Sequence, residues 1–202
     1  MKIYNTLKFL GFAGVFSLFA ACAGSPPTQE MSDARQAIQA AKDAGADKNV
    51  PGLLKSSEDL IQSAEIKLNN KAYRKARKDA KAAKNNAMTA TSVSTAIKTA
   101  TAAIKKAEGF GYVWRDSSKM ITDAQKAAEE GDVKKALKLA NTSKNEGEHA
   151  INQYYLETAS YKAGKLEDGD SLNPSQKSAL GAVKDALNKK DGKKAMDLLE
   201  KI

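Results

Sequence analysis

The chain has 202 residues, 33 Lys and Arg against 24 Asp and Glu, and a formal net charge of +9. One Cys and one His exclude an internal disulfide framework and a Cys/His metal cluster, and any Ser-His-Asp or Cys-His chemistry would have to run through His149. Alanine is the commonest residue, while Gly (13) and Pro (4) are few, so the composition points to an almost wholly helical binding or structural protein, not an enzyme, and calls for no cofactor.

Residues 1–21 read as a targeting segment. Lys2 and Lys8 make a positive start, and the uncharged run from Phe9 to Ala21 is too short to span a bilayer but suits a signal-peptide core. The run ends Leu18-Phe19-Ala20-Ala21-Cys22, which resembles the lipobox of bacterial lipoproteins. That resemblance implies cleavage before Cys22, lipidation of its sulfur, and an acylated N-terminus. The alternative is an ordinary secretory signal with an incidental Cys. Ala23 stands where enteric-type lipoproteins carry Asp as an inner-membrane retention signal. Its identity implies attachment to the outer membrane of a Gram-negative envelope, facing the periplasm. Residues 22–30 form a tether kept extended by Pro26-Pro27.

The predicted elements then follow in order. Ser32 caps a first helix running to about Ala44, with Gly45 as its stop. Pro51 opens a second, which carries Leu53, Leu54, Leu60, Ile61, Ala64 and Leu68 at helical spacing, and Asn69-Asn70-Lys71 turns the chain. A long third helix, from about Ala72 to Ala107, spans roughly 50 Å at 1.5 Å per residue. Its seam is small and regular: Tyr73, Ala76, Ala80, Ala83, Ala87, Ala90, Ser94, Ile97, Thr101 and Ile104. Gly109-Phe110-Gly111 ends it.

The pattern returns sixty residues later. The seam maps onto Val133, Ala136, Ala140, Ser143, Gly147, Ala150 and Tyr154, with Gly131-Asp132 at the turn that matches Lys71-Ala72. A shorter pair closes the chain. Asn173-Pro174 starts one helix, Asp191-Gly192 turns it, and Ala195, Leu198, Leu199 and Ile202 give the last apolar face. Gly164 to Asn173 reads as a linker. The expected fold is all-α: repeated antiparallel hairpins with one long helix, in tetratricopeptide-like stacking or an elongated bundle. The expected regions are 1–21 signal, 22–30 tether, 31–107 first hairpin with the long helix, 108–163 second hairpin, and 164–202 a short C-terminal hairpin.

Tyr112-Val113-Trp114-Arg115-Asp116, followed by Lys119, Ile121, Ala124, Gly131-Asp132, Ala136, Leu139-Ala140, Lys144 and Gly147-Glu148, resembles the SoxXA-binding protein family over about residues 110–150. The resemblance implies a periplasmic helical hairpin that binds and assists the thiosulfate-oxidising c-type cytochrome SoxXA without doing chemistry itself. Residues 22–90 are similar to bacterial lipoproteins of unknown function, in which a lipobox and short linker precede an Ala-rich hairpin.

Read by themselves, Phe110, Tyr112, Trp114, Tyr154, Tyr155 and Tyr161 concentrate at the end of the long helix and along the second hairpin. Trp114 and Tyr154 sit on apolar seams and read first as core. A Tyr, Trp and Arg group is also the usual make-up of a binding hot spot, which makes Tyr112, Trp114, Arg115 and Tyr155 the candidate partner-binding residues. Residues 108–163 are expected to carry that interaction without the first hairpin. Lys71, Arg74, Lys75, Arg77, Lys78, Lys81 and Lys84 face only Asp79 and form a basic face. It reads first as a solvated surface, with anionic lipid, an anionic polymer or an acidic protein as functional alternatives. His149 reads as a lone surface histidine. No phosphate loop is present, since Gly109-x-Gly111 lacks a third Gly and a preceding strand.

The functional expectation is a lipid-anchored, periplasm-facing adaptor that binds a protein partner, with the Sox-type cytochrome as candidate and nucleic acid excluded. The alternative is an envelope structural lipoprotein contacting peptidoglycan or anionic lipid without catalysis.

Overall fold

The computed structural model describes residues 24–112, 116–169 and 172–202. These residues form eight helices and no strand: α1 (Thr28–Asp43), α2 (Ala46–Asn49), α3 (Pro51–Asn69), α4 (Tyr73–Gly109), α5 (Ser117–Glu129), α6 (Val133–Asp168), α7 (Pro174–Asn188) and α8 (Gly192–Leu199). The all-α class follows from the composition. α4 runs 37 residues because Tyr73 to Glu108 contains neither Gly nor Pro and is dense in alanine, the best helix former.

Three tight turns, between α3 and α4, α5 and α6, and α7 and α8, share one bond pattern. Lys71, Gly131 and Lys190 take positive φ (56°, 81° and 57°). The next N–H in each case returns to the preceding helix: Ala72 to the Lys67 carbonyl, Asp132 to Ala127, and Asp191 to Ala186, at 2.8, 2.8 and 3.0 Å. This is the Schellman closure, which satisfies the last carbonyls of a helix. Gly111 (φ 78°) closes α4 in the same way through Tyr112 N–H to the Ala107 carbonyl. α7 opens with a full capping box between Asn173 and Gln176.

α1 and α3 pack on α4, α5 packs on α6, α6 packs on α4, and α7 and α8 cover the far end of α6. The largest apolar cluster joins Ile38, Val50, Leu54, Val93 and Ile97 to a bed of alanines that includes Ala87, Ala124 and Ala140. A second joins Ala159 and Ala163 of α6 to Leu180, Val183 and Ala195, and a third joins Met31, Ala64 and Ala80. All of this packing lies within residues 24–202.

Four expectations change. α1 begins at Thr28, not after Ser32, because Pro27 precedes it directly and is itself buried. Residues 28–30 are therefore helical and not tether. On α4, Ala100 is buried and Thr101 is exposed. A straight helix drifts against a strict seven-residue repeat, so the seam steps back by one residue where α6 becomes the packing partner. Residues 164–168 continue α6 and are not linker, since Ala163 and Leu166 pack against α7 and α8. Gly45 does stop α1, at φ 82°, but a further turn, α2, fits in before Pro51.

Candidate functional site

The two ends of α4 carry the candidate residues. At its start, the basic run divides into cations bonded within the fold and cations that are free. Arg77 Nε donates to Glu30 Oε1 at 2.8 Å, and its Nη2 donates to the Ser25 carbonyl at 2.9 Å. Lys84 donates to Asp33 at 2.9 Å. Both tie α1 to α4, and Arg77 also ties down the segment before α1. Asp79, the one acid in the run, is taken by Lys67 and Ser63 of α3. These bonds hold three carboxyl groups below the usual carboxylate range. For Asp33 and Asp79 the first cause is the lysine bond. For Glu30 it is a backbone hydrogen bond, followed by Arg77. The basic face is thus partly structural. Lys71, Arg74, Lys75, Lys78 and Lys81 are exposed and pair with no carboxylate among the described residues.

At the other end, aromatic rings gather where α4 stops against α6. Phe110 stacks flat on Tyr154, with centroids 4.2 Å apart and planes 6° apart. Tyr155 tilts against both rings at 5.7 Å. Tyr112 meets Tyr154 edge-on at 5.8 Å and donates its hydroxyl to Glu157. That bond raises the Tyr112 pKa and lowers that of Glu157, so the phenol stays protonated and the carboxylate charged. Phe110, Tyr112, Tyr154 and Tyr155 are all only partly buried. Tyr161, two turns further on, is 66% exposed, with Lys165 Nζ 5.4 Å from its ring centre.

Tyr155 also lines a groove of about 530 Å³ between α4, α6 and the start of α8. Ala102, Ala103 and Ile151 form its apolar floor, and Lys106 stands 6.0 Å from the Tyr155 ring centre. Close helix contact sets the groove. A Cβ on Gly147 would lie 2.8 Å from the Ala103 carbonyl carbon and 2.9 Å from the Ile104 nitrogen. A Cβ on Gly192 would lie 2.6 Å from the Asn152 carbonyl oxygen. Neither contact is signalled by local sequence, since each depends on which helix faces the glycine.

The structure therefore brings Tyr112 and Tyr155 into one cluster, joined by Phe110 and Tyr154. The sequence places Tyr154 on an apolar seam as core filling, whereas in the fold it is the half-buried centre of the stack. Cys22, Trp114 and Arg115 lie outside the described residues. The α6 seam faces α4 through Gly147, so residues 108–163 pack directly on the long helix of the first hairpin region. His149 is exposed and lines a shallow hollow with Asn145, Glu148 and Asn152. Among the described residues, no group of three His, Cys, Asp or Glu is placed to hold a metal ion, and no helix is long and apolar enough to cross a membrane.

The chain matches no protein-family model, no curated protein and no solved structure.

Proposed function

We propose that this chain is a lipid-anchored accessory protein that faces the periplasm of a Gram-negative envelope and binds a protein partner without catalysis. The observation that carries the reading is the half-buried cluster of Phe110, Tyr112, Tyr154 and Tyr155 beside the α4–α6 groove. Tyrosine with neighbouring cations offers rigid, amphipathic contact area, the common composition of interface hot spots. The segment that resembles SoxXA-binding proteins begins at this cluster. The thiosulfate-oxidising c-type cytochrome is therefore the candidate partner on that resemblance alone.

Repeated hairpins in a tetratricopeptide-like stack are part of the same proposal. The shared Schellman closure at Lys71, Gly131 and Lys190 supports them. Such stacks commonly bind partners along grooves between successive helices.

The test is crosslinked recovery from intact envelopes, comparing the native chain with a Tyr112→Ala, Tyr155→Ala variant of unchanged helicity. The native chain recovers the cytochrome and the variant loses it. Equal recovery by both would remove the aromatic end from the interface. Recovery of peptidoglycan fragments alone would favour a structural envelope role. Fatty-acid labelling tests the anchor separately: label is expected on the native chain and absent from Cys22→Ala.

A further inference from the structure

The chain enters the described fold beside the free cations of α4. Gly24, Lys71, Arg74, Lys75 and Arg77 line one concave surface of about 550 Å³. Arg77 fixes the entering segment there through the Ser25 carbonyl, and its guanidinium lies 3.8 Å from where a Cβ on Gly24 would stand. Arg77 is itself balanced by Glu30. Lys71, Arg74 and Lys75 are exposed and unpaired among the described residues.

The fold also leaves this end electrically open. At the matching turns, Asp132 and Asp191 accept the N–H groups of Lys135 and Lys194 and bring a negative charge to the helix start. Ala72 has no such side chain, and the first turn of α4 contains no acid. The positive end of the helix dipole therefore adds to the three side-chain charges.

We infer that Lys71, Arg74 and Lys75 form a membrane contact, seated on the phosphates of anionic lipids in the leaflet that holds the N-terminus. The inference rests on the lipid-anchor reading for its placement. Only Ala23 separates Cys22 from Gly24, and two residue steps reach at most about 7 Å. An acylated Cys22 would hold this basic surface at headgroup level. Each cation near an anionic surface adds about fivefold to binding at moderate salt, and basic patches commonly reinforce lipid anchors. The contact also orients the molecule. Roughly 45 Å of helix separates Lys75 from Lys106, so the aromatic groove lies at the end of α4 away from the anchor.

The test uses residues 22–202 with Cys22→Ser, which retain all the packing described and carry no acyl chain. Sedimentation with vesicles of phosphatidylethanolamine and phosphatidylglycerol is compared with phosphatidylcholine vesicles, at low salt and at about 0.15 M. One variant carries Lys71→Gln, Arg74→Gln and Lys75→Gln. A matched control carries Lys189→Gln, Lys190→Gln and Lys194→Gln, which removes the same charge and also changes one left-handed turn residue. Preferential binding to the anionic vesicles is expected, weakened at least about tenfold in the first variant and little changed in the control. The charge-conserving set Lys71→Arg, Arg74→Lys and Lys75→Arg restores binding. Inorganic phosphate at matched ionic strength does not compete. No preference for anionic vesicles, equal loss in both triple variants, or selective displacement by phosphate would each overturn the inference. Failure of the anchor would appear separately, as absent fatty-acid label on Cys22 of the native chain.

Discussion

Along the first half of α4, ion pairs that cross between helices frame the small-residue seam. Arg77 meets Glu30, Lys84 meets Asp33, Lys67 meets Asp79, Arg35 meets Glu65 and Lys42 meets Glu58. Along the first two-thirds of α6, the one ion pair among the described residues is local, Lys144 with Glu148 one turn on. There the closing contacts are backbone approaches at Gly147 and Gly192, the buried Ser143 hydroxyl donating to the Ser117 carbonyl at 2.9 Å, and the stacked rings. The two seams look alike in sequence, yet one is fastened at its rim by charge and the other at its centre by the absence of side chains. A rim of partly exposed charges tolerates adjustment and depends on pH. A backbone contact does neither.

The strongest way to challenge that comparison is to enlarge both seams. Ala80 and Ala140 are fully buried on α4 and α6. Ala80→Leu and Ala140→Leu are each expected to lose about 3 kcal/mol by overpacking, read from denaturant unfolding. A tolerant Ala80→Leu beside a damaging Ala140→Leu would show that the α1–α3–α4 region is loosely fitted and that charge matters more there than packing.

A finer cut makes the second seam resemble the first. Gly147 stands sixty residues after Ala87, whose methyl group is already accommodated. Gly147→Ala is expected to cost about 2 kcal/mol, because the new methyl would meet the Ala103 and Ile104 backbone, which cannot move aside alone. A thermal melt equal to that of the native chain would mean that α4 and α6 can separate freely.

The smallest effect concerns acid. Glu30, Asp33 and Asp79 titrate lower in the fold than in the unfolded chain. The stabilisation they give is complete above the unfolded carboxylate range, about 4, and is lost as pH falls through their folded values. Amide protection factors in α1 should therefore fall on acidification before those in the middle of α6 do. Arg77→Gln should reduce the pH dependence of α1. A uniform fall in protection along both helices would show that the ion pairs do not distinguish the two regions.

Much of this framework is legible in the sequence. The absence of Gly and Pro across α4, the Gly109-Phe110-Gly111 stop and the seam from Ala76 to Ile97 are local signals, and each reappears in the fold. What stayed hidden depends on distant partners. Nothing near Arg77 in sequence announces Ser25 or Glu30, so counting charges could not separate structural cations from free ones. The Gly164-Lys165-Leu166-Glu167-Asp168 stretch has the composition of a linker, but Ala163 and Leu166 find α7 and α8 and the helix continues. Gly147 resembles a flaw in an alanine seam until α4 is seen against it. The aromatic cluster was legible as a concentration of rings, whereas the central place of Tyr154 within it was not.

We propose a division of labour between the basic end of α4, which meets the membrane, and its aromatic end, which meets a protein partner. Photo-crosslinking in intact envelopes separates the two roles, with the same photoreactive amino acid placed in turn at Tyr155 and at Lys75. Protein adducts, including the cytochrome, are expected from position 155, and lipid adducts from position 75. Protein adducts from position 75 with only lipid or no adducts from position 155 would contradict it.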